Sequence, residues 1–130
     1  MDQFYSKPVK ERVATFAEYS FDQRYAIYLY GNQVQHPPAL YLTDAFAAGG
    51  QEIVAPLSAR LAASEYEVTT RDLVMVFAAM QRLKTYDVAQ DEPLMRQLTE
   101  ATARMREADW KEIVERELAT IRSGESQGTQ

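Results

Sequence analysis

The stretch SFDQRYAIYLYGNQVQ, residues 20–35, decides how the rest of the chain is read. Phe21, Tyr25, Tyr28 and Leu29 recur at helical spacing on one side, while Ile27, Tyr30 and Val34 fall on the other. A helix with two apolar stripes needs neighbours on both sides, or one neighbour and a partner outside the chain. Ser20 and Gln23 have the spacing of a capping box, in which the serine oxygen accepts from a backbone N–H and the glutamine reaches back to the cap. The helix is predicted to start there and to stop before Pro37-Pro38, because the residue preceding a proline is pushed out of helical geometry. Gly31 within it costs about 1 kcal/mol relative to alanine, so a close neighbour or an early end is expected.

Upstream, Ser6 can cap a helix that tolerates Pro8 in its first turn, with Val9, Val13 and Phe16 as its buried stripe. Downstream, Pro38 opens a helix through Leu40, Leu42, Ala45 and Phe46 to a Gly49-Gly50 stop. Ile53, Val54, Leu57 and Leu61 mark the next, with Pro56 far enough in to kink it. Thr69 and Asp72 read as a second capping box, ahead of Leu73, Val76, Phe77, Met80 and Leu83, the most regular amphipathic pattern in the chain. Residues 85–90 form a connector pinned by Tyr86 and Val88. Asp91, Glu92 and Pro93 then open a helix whose Leu94, Leu98, Ala101 and Met105 face inward, the acids suiting its positive end. Asp109 and Glu112 suggest another capping box, hence a break near Ala108 and a last helix with Trp110, Ile113, Val114, Leu118 and Ile121.

No alternating run is long enough to argue for a strand. The expectation is an all-α fold, a compact right-handed array or bundle of about six to seven short helices, forming a single domain over residues 1–122. The Gly/Ser/Gln-rich end, SGESQGTQ at 123–130, reads as a disordered tail.

Residues 52–80 resemble a HEAT-type helical hairpin. The resemblance is carried by Pro56 inside the first helix, Leu57 and Leu61 on its inner face, a polar turn at 64–67, Val68 and Arg71 opening the second helix, and Leu73, Val76, Phe77 and Met80 within it. Two threonines separate Val68 from Arg71 where that family usually has the pair adjacent, and no second copy recurs at a period of roughly 40 residues. The family uses proline to bend its first helix, and its members mostly bind other proteins, so the resemblance implies protein binding.

Totals exclude several classes. A chain of 130 residues suits one domain, and 46% hydrophobic with 25% charged residues is a globular balance. No cysteine leaves no disulfide framework, thiolate metal site or thiol nucleophile. The absence of staples and of a basic-then-apolar leader points to a cytoplasmic setting, although trimming of a leader would leave the same sequence. The longest apolar run, residues 73–80, is far below the roughly 18 residues a bilayer span requires, so no membrane insertion is expected. Net charge is −5. Residues 25–64 hold only Arg60, Asp44 and Glu52 as charged groups, whereas the chain from Asp91 onward is acidic. Nucleic-acid binding needs clustered Lys and Arg, and no segment supplies a basic stripe.

Catalytic signals are sparse. His36 is the lone histidine and could serve as a general base with Tyr25, Tyr28 or Tyr41 nearby, but a histidine in a helix's last turn more commonly satisfies open carbonyls. No metal is expected: Asp87, Asp91 and Glu92 lack calcium-loop spacing, and Glu107, Glu112 and Glu115 read as a solvated helix face. No cofactor motif is present either, since Gly49-Gly50 lacks a phosphate-loop lysine. These readings argue against an enzyme. The tyrosines are the stronger signal, four of the eight falling within residues 25–41. They suit a half-wet core packed between helices, or an exposed groove lined by Tyr28, Tyr30, Asn32, His36 and Tyr41.

The leading expectation is a soluble, acidic protein–protein interaction module using residues 25–41 or the acidic C-terminal face against one protein partner. An inhibitor or immunity-type protein that neutralises a basic effector would fit within that class. A small-molecule binder or modest enzyme with a tyrosine-lined pocket and His36 is the alternative from another class. A self-associating structural protein, a homodimer in which the second stripe of residues 20–35 meets its own copy, is a third.

Overall fold

The computed structural model describes residues 2–33 and 41–128, side chains at 2, 3, 41 and from 124 onward excepted. The expectations placed on Val34, His36, Pro37, Pro38 and Leu40, and on the ring of Tyr41, lie outside that range. A four-residue helix α1 (Asp2–Tyr5) precedes α2 (Val9–Phe16), α3 (Phe21–Gln33) and α4 (Tyr41–Ala47). Then come α5 (Gln51–Ala63), α6 (Glu67–Leu83), a 3-10 turn (Val88–Gln90), α7 (Glu92–Ala103) and α8 (Ala108–Gly128). Helices account for all the regular structure among the described residues, so the fold is the all-α bundle that the periodicity predicts. Backbone helix in α8 runs on into the Gly/Ser/Gln-rich stretch that composition reads as a tail.

The centre of the bundle is α6. Its run LVMVFAAM at 73–80 is apolar on every side, so it buries Leu73, Val74, Val76, Phe77 and Met80 completely and packs against α3, α4, α5, α7 and α8. An all-round apolar helix is a core helix, and the one-sided reading of this segment understates it. For the two-striped helix α3 the sequence left open a central position or a partner outside the chain. Its two stripes are covered from within the chain: Tyr28 meets the ring of Phe46 in α4 at 5.4 Å, and on the other side Tyr30 packs on Tyr5 of α1 at 5.5 Å. Tyr5 also donates its hydroxyl proton to the Ile27 carbonyl at 2.8 Å, which ties α1 to α3.

Several start signals work as read. Ser20 N donates to the Gln23 side-chain oxygen at 2.9 Å and Gln23 N donates to Ser20 Oγ at 3.2 Å, the reciprocal capping box. Asp91 accepts from Leu94 N at 3.1 Å and caps α7, while its other oxygen takes the Tyr86 hydroxyl at 2.6 Å. Pro56 sits inside α5, which packs on α6 through Ile53, Leu57 and Leu61, all buried.

Three local readings are corrected. Val9 and Val13 are 50% and 44% exposed, and only Phe16 of that stripe enters the core. Helix α6 begins at Glu67, two residues before Thr69, so Thr69 and Asp72 lie within the helix and are buried instead of forming a cap. The start of α8 is set by a distant residue, not by Asp109 and Glu112. The Glu67 carboxylate accepts from Arg106 N at 3.0 Å and Glu107 N at 2.9 Å, which places a negative charge on the positive end of the helix. The helical phase of α6 turns Thr69 and Asp72 inward, and tertiary burial overrides a local capping pattern.

The corner after α4 is a backbone construction. Gly50 has φ 59° and ψ −140°, a conformation open essentially to glycine alone. A Cβ there would meet the Thr85 carbonyl oxygen at 2.8 Å. Thr85 in turn donates from Oγ1 to the Ala47 carbonyl at 2.7 Å, so the α6 exit is clamped onto the α4–α5 corner. Lys84, at φ 61°, closes α6 in the left-handed region.

Candidate functional site

Two of the tyrosine-groove residues, Tyr28 and Asn32, come together inside the bundle. Tyr28 is wholly buried, on the stripe of α3 that turns toward α4 and α6. Its hydroxyl donates to the Asp72 carbonyl at 2.7 Å and accepts from Thr43 of α4 at 3.3 Å. One phenol thus joins α3, α4 and α6. Next to it the Asp72 carboxylate is fully buried. Oδ1 takes two N–H groups of Arg71, at 3.0 and 2.6 Å, and Oδ2 takes Gln33 Nε2 at 3.0 Å. The Arg71 guanidinium lies 4.6 Å over the Trp110 ring, which brings α8 into the same network.

Burial dominates the electrostatics. It raises the Asp72 carboxyl above the usual carboxylate range, against the lowering pull of Gln33 and Arg71. It also pushes the Tyr28 hydroxyl well above the ordinary phenol value, with the Asp72 charge adding to the rise. Asn32 is 7% exposed and lies close enough to bear on both groups, yet neither its amide nitrogen nor its oxygen makes a hydrogen bond. The network is closed by its own partners at every other position, and its chemistry is that of a staple between four helices. Asp72 is the residue that sequence reasoning missed. The signal was available: Thr69, Asp72, Val76 and Ala79 share one helical face, so a carboxylate on it needs buried partners.

Tyr30 faces the other way, half-buried on the ring of Tyr5. Arg12 of α2 holds its guanidinium 5.1 Å from the Tyr5 ring centroid and donates to the backbone carbonyls of Tyr5 and Lys7, the latter at 2.7 Å. The contacts therefore lead from Tyr30 through Tyr5 and Arg12 onto α2, where Val9 and Val13 stand one turn apart and largely open to solvent. This face is neutral to basic, with Lys7, Lys10 and Arg12 against Glu11.

Comparison with known proteins finds no matching family, characterised protein or solved structure. No three His, Asp or Glu side chains group in a way that could hold a metal ion, and no helix is long and apolar enough to cross a membrane, among the described residues.

Proposed function

We propose that the chain is a helical protein–protein interaction module whose contact surface is the outer face of α2 together with the Tyr5–Tyr30 ring pair. The observation that carries this reading is the exposure of Val9 and Val13, 50% and 44%, in the same helical stripe as the fully buried Phe16, so that the first part of an apolar stripe is left open to solvent. Arg12 and two tyrosines are residue types enriched in interface hot spots, and the two valines beside them add exposed apolar area. Tyr30 belongs to the surface by this reading and Tyr28 to the interior. The resemblance of α5 and α6 to a HEAT-type hairpin supports the same class, since that family mostly binds proteins. An inhibitor or immunity-type role lies within the class.

The test is affinity capture with paired baits, the wild type and a Val9→Asp/Val13→Asp double variant, together with the solution mass of both. Both valines are exposed, so the melting temperature of the variant should stay within about 2 °C of the wild type. A stoichiometric partner held by the wild type and released by the variant supports the reading, and a second copy of the chain as that partner would make the module self-associating. A partner retained equally by both baits would remove α2 from the interface.

A further inference from the structure

A depression of about 320 Å³ opens between α4, α6 and α8, none of its lining coming from α2. Its floor is small, made by Ala78 and Ala79 of α6, with Met75 alongside. Its polar lining is Thr43 and Asp44 from α4, Arg82 from α6, and Glu117 and Thr120 from α8. Each arrives for a reason of phase. Arg82 follows Ala78 and Ala79 by one turn on the α6 face that meets α8, and Glu117 and Thr120 flank buried Leu118 and lie one turn from each other.

The charges are unevenly satisfied. Arg82 donates to Asp44 at 2.6 Å, an ion pair on two side chains that are each more than half exposed. Glu117 is half-buried, and its carboxylate takes no hydrogen bond and no ion pair from any described residue. Burial raises its carboxyl above the ordinary range, with the Arg82 charge pulling the other way. Asp44 and Glu117 against Arg82 leave the pocket one negative charge in excess. A carboxylate moved partly out of water without a donor is a group whose missing partner is a cation carrying N–H. An anion is disfavoured there, because the one guanidinium is already neutralised.

We infer that the α4–α6–α8 pocket binds an organic cation of the alkylammonium or guanidinium type, with Glu117 accepting its N–H groups and the alkyl stem lying over Met75, Ala78 and Ala79. Thr120 supplies a hydroxyl oxygen at the exposed wall, and the Asp44–Arg82 pair fixes the rim. The small floor admits the stem, while the charge selects the head group. This site and the α2 face lie on different helices, so either stands without the other.

The probes are agmatine, a free alkylguanidinium, and the blocked peptide acetyl-Ala-Ala-Arg-Ala-Ala-amide, titrated into 15N-labelled protein and followed by amide shifts. Saturable shifts confined to α4, α6 and α8 are expected from at least one probe, and none from a citrulline peptide of the same length. Tighter binding of agmatine identifies a free amine as the ligand, and tighter binding of the peptide identifies an arginine on a partner protein; both support the site. Glu117→Gln, which keeps the shape and removes the charge, should weaken binding at least tenfold. Thr120→Lys, at an exposed position one turn from Glu117, should weaken it similarly by placing a tethered ammonium at the pocket. Equal binding of the arginine and citrulline peptides, unchanged binding to Glu117→Gln, or no saturable shift up to 20-fold excess over about 1 mM protein would overturn the inference.

Discussion

Removing a single oxygen, as Tyr28→Phe, tests whether the buried phenol joins three helices. The hydroxyl makes two hydrogen bonds, one given to Asp72 O at 2.7 Å and one accepted from Thr43 at 3.3 Å. A buried neutral hydrogen bond contributes about 1 kcal/mol net, and the Thr43 hydroxyl, itself only 6% exposed, loses its acceptor as well. The expected cost is about 2 kcal/mol, which for a domain of this size lowers the melting temperature by roughly 8 °C. Thr43→Val alone should cost about 1 kcal/mol, because Tyr28 keeps its bond to Asp72. The double variant should be little worse than Tyr28→Phe, a coupling of about 1 kcal/mol, since no stranded donor remains once both hydroxyls are gone. Urea denaturation of the four proteins gives the cycle, with Tyr30→Phe as the half-exposed control expected within about 0.5 kcal/mol of wild type. A Tyr28→Phe cost below about 0.5 kcal/mol, or strictly additive effects, would refute the three-helix bond.

Other perturbations probe separate features. Gly50→Ala forces a side chain into a glycine-only conformation and against a carbonyl oxygen at 2.8 Å, so a loss of about 3 kcal/mol or more is expected in chemical denaturation. Gly49→Ala meets only the Ile53 side chain, which can turn, and should cost clearly less. For Asp72 the folded state binds the proton more tightly than the unfolded chain, because burial raises its carboxyl. Its contribution to stability therefore grows as pH falls from neutrality through that raised value. Asp72→Asn removes this dependence, so the stability of the asparagine variant relative to wild type should decline as pH falls from neutrality toward the ordinary carboxylate range in paired urea titrations. A relative stability that instead rises with acid would show that Arg71, not burial, governs the group.

How much of this was readable from the sequence depended on whether the deciding partner was near in the chain. The capping box at Ser20 and Gln23, the Asp91 cap and the Gly49-Gly50 corner were legible because each closes within a few residues. The α6 segment was legible as a helix but not as the centre, since a run apolar on every side carries no direction. Val9 and Val13 have core spacing, yet only Phe16 of that stripe finds a neighbour, and spacing cannot say which side of a short helix is covered. Tyr28 and Tyr30 are two positions apart with the same side chain. Their assignment to opposite environments follows from α1 and α6, which are distant in sequence. Asp72 escaped notice because Thr69 and Asp72 also satisfy a local capping pattern, and only the burial of both separates the two readings.

The Glu67 carboxylate on the amides of Arg106 and Glu107, just ahead of α8, has a bearing on how the chain is assembled. Its partners lie 39 and 40 residues further along, so the last helix has no cap until the entire α6–α7 segment has turned back on itself. The C-terminal hairpin is therefore not a self-sufficient unit. A fragment beginning at α7 would carry the right periodicity but lack the charge that opens its second helix, and the amides of Arg106 and Glu107 should exchange with solvent at a rate that reports closure of the whole bundle.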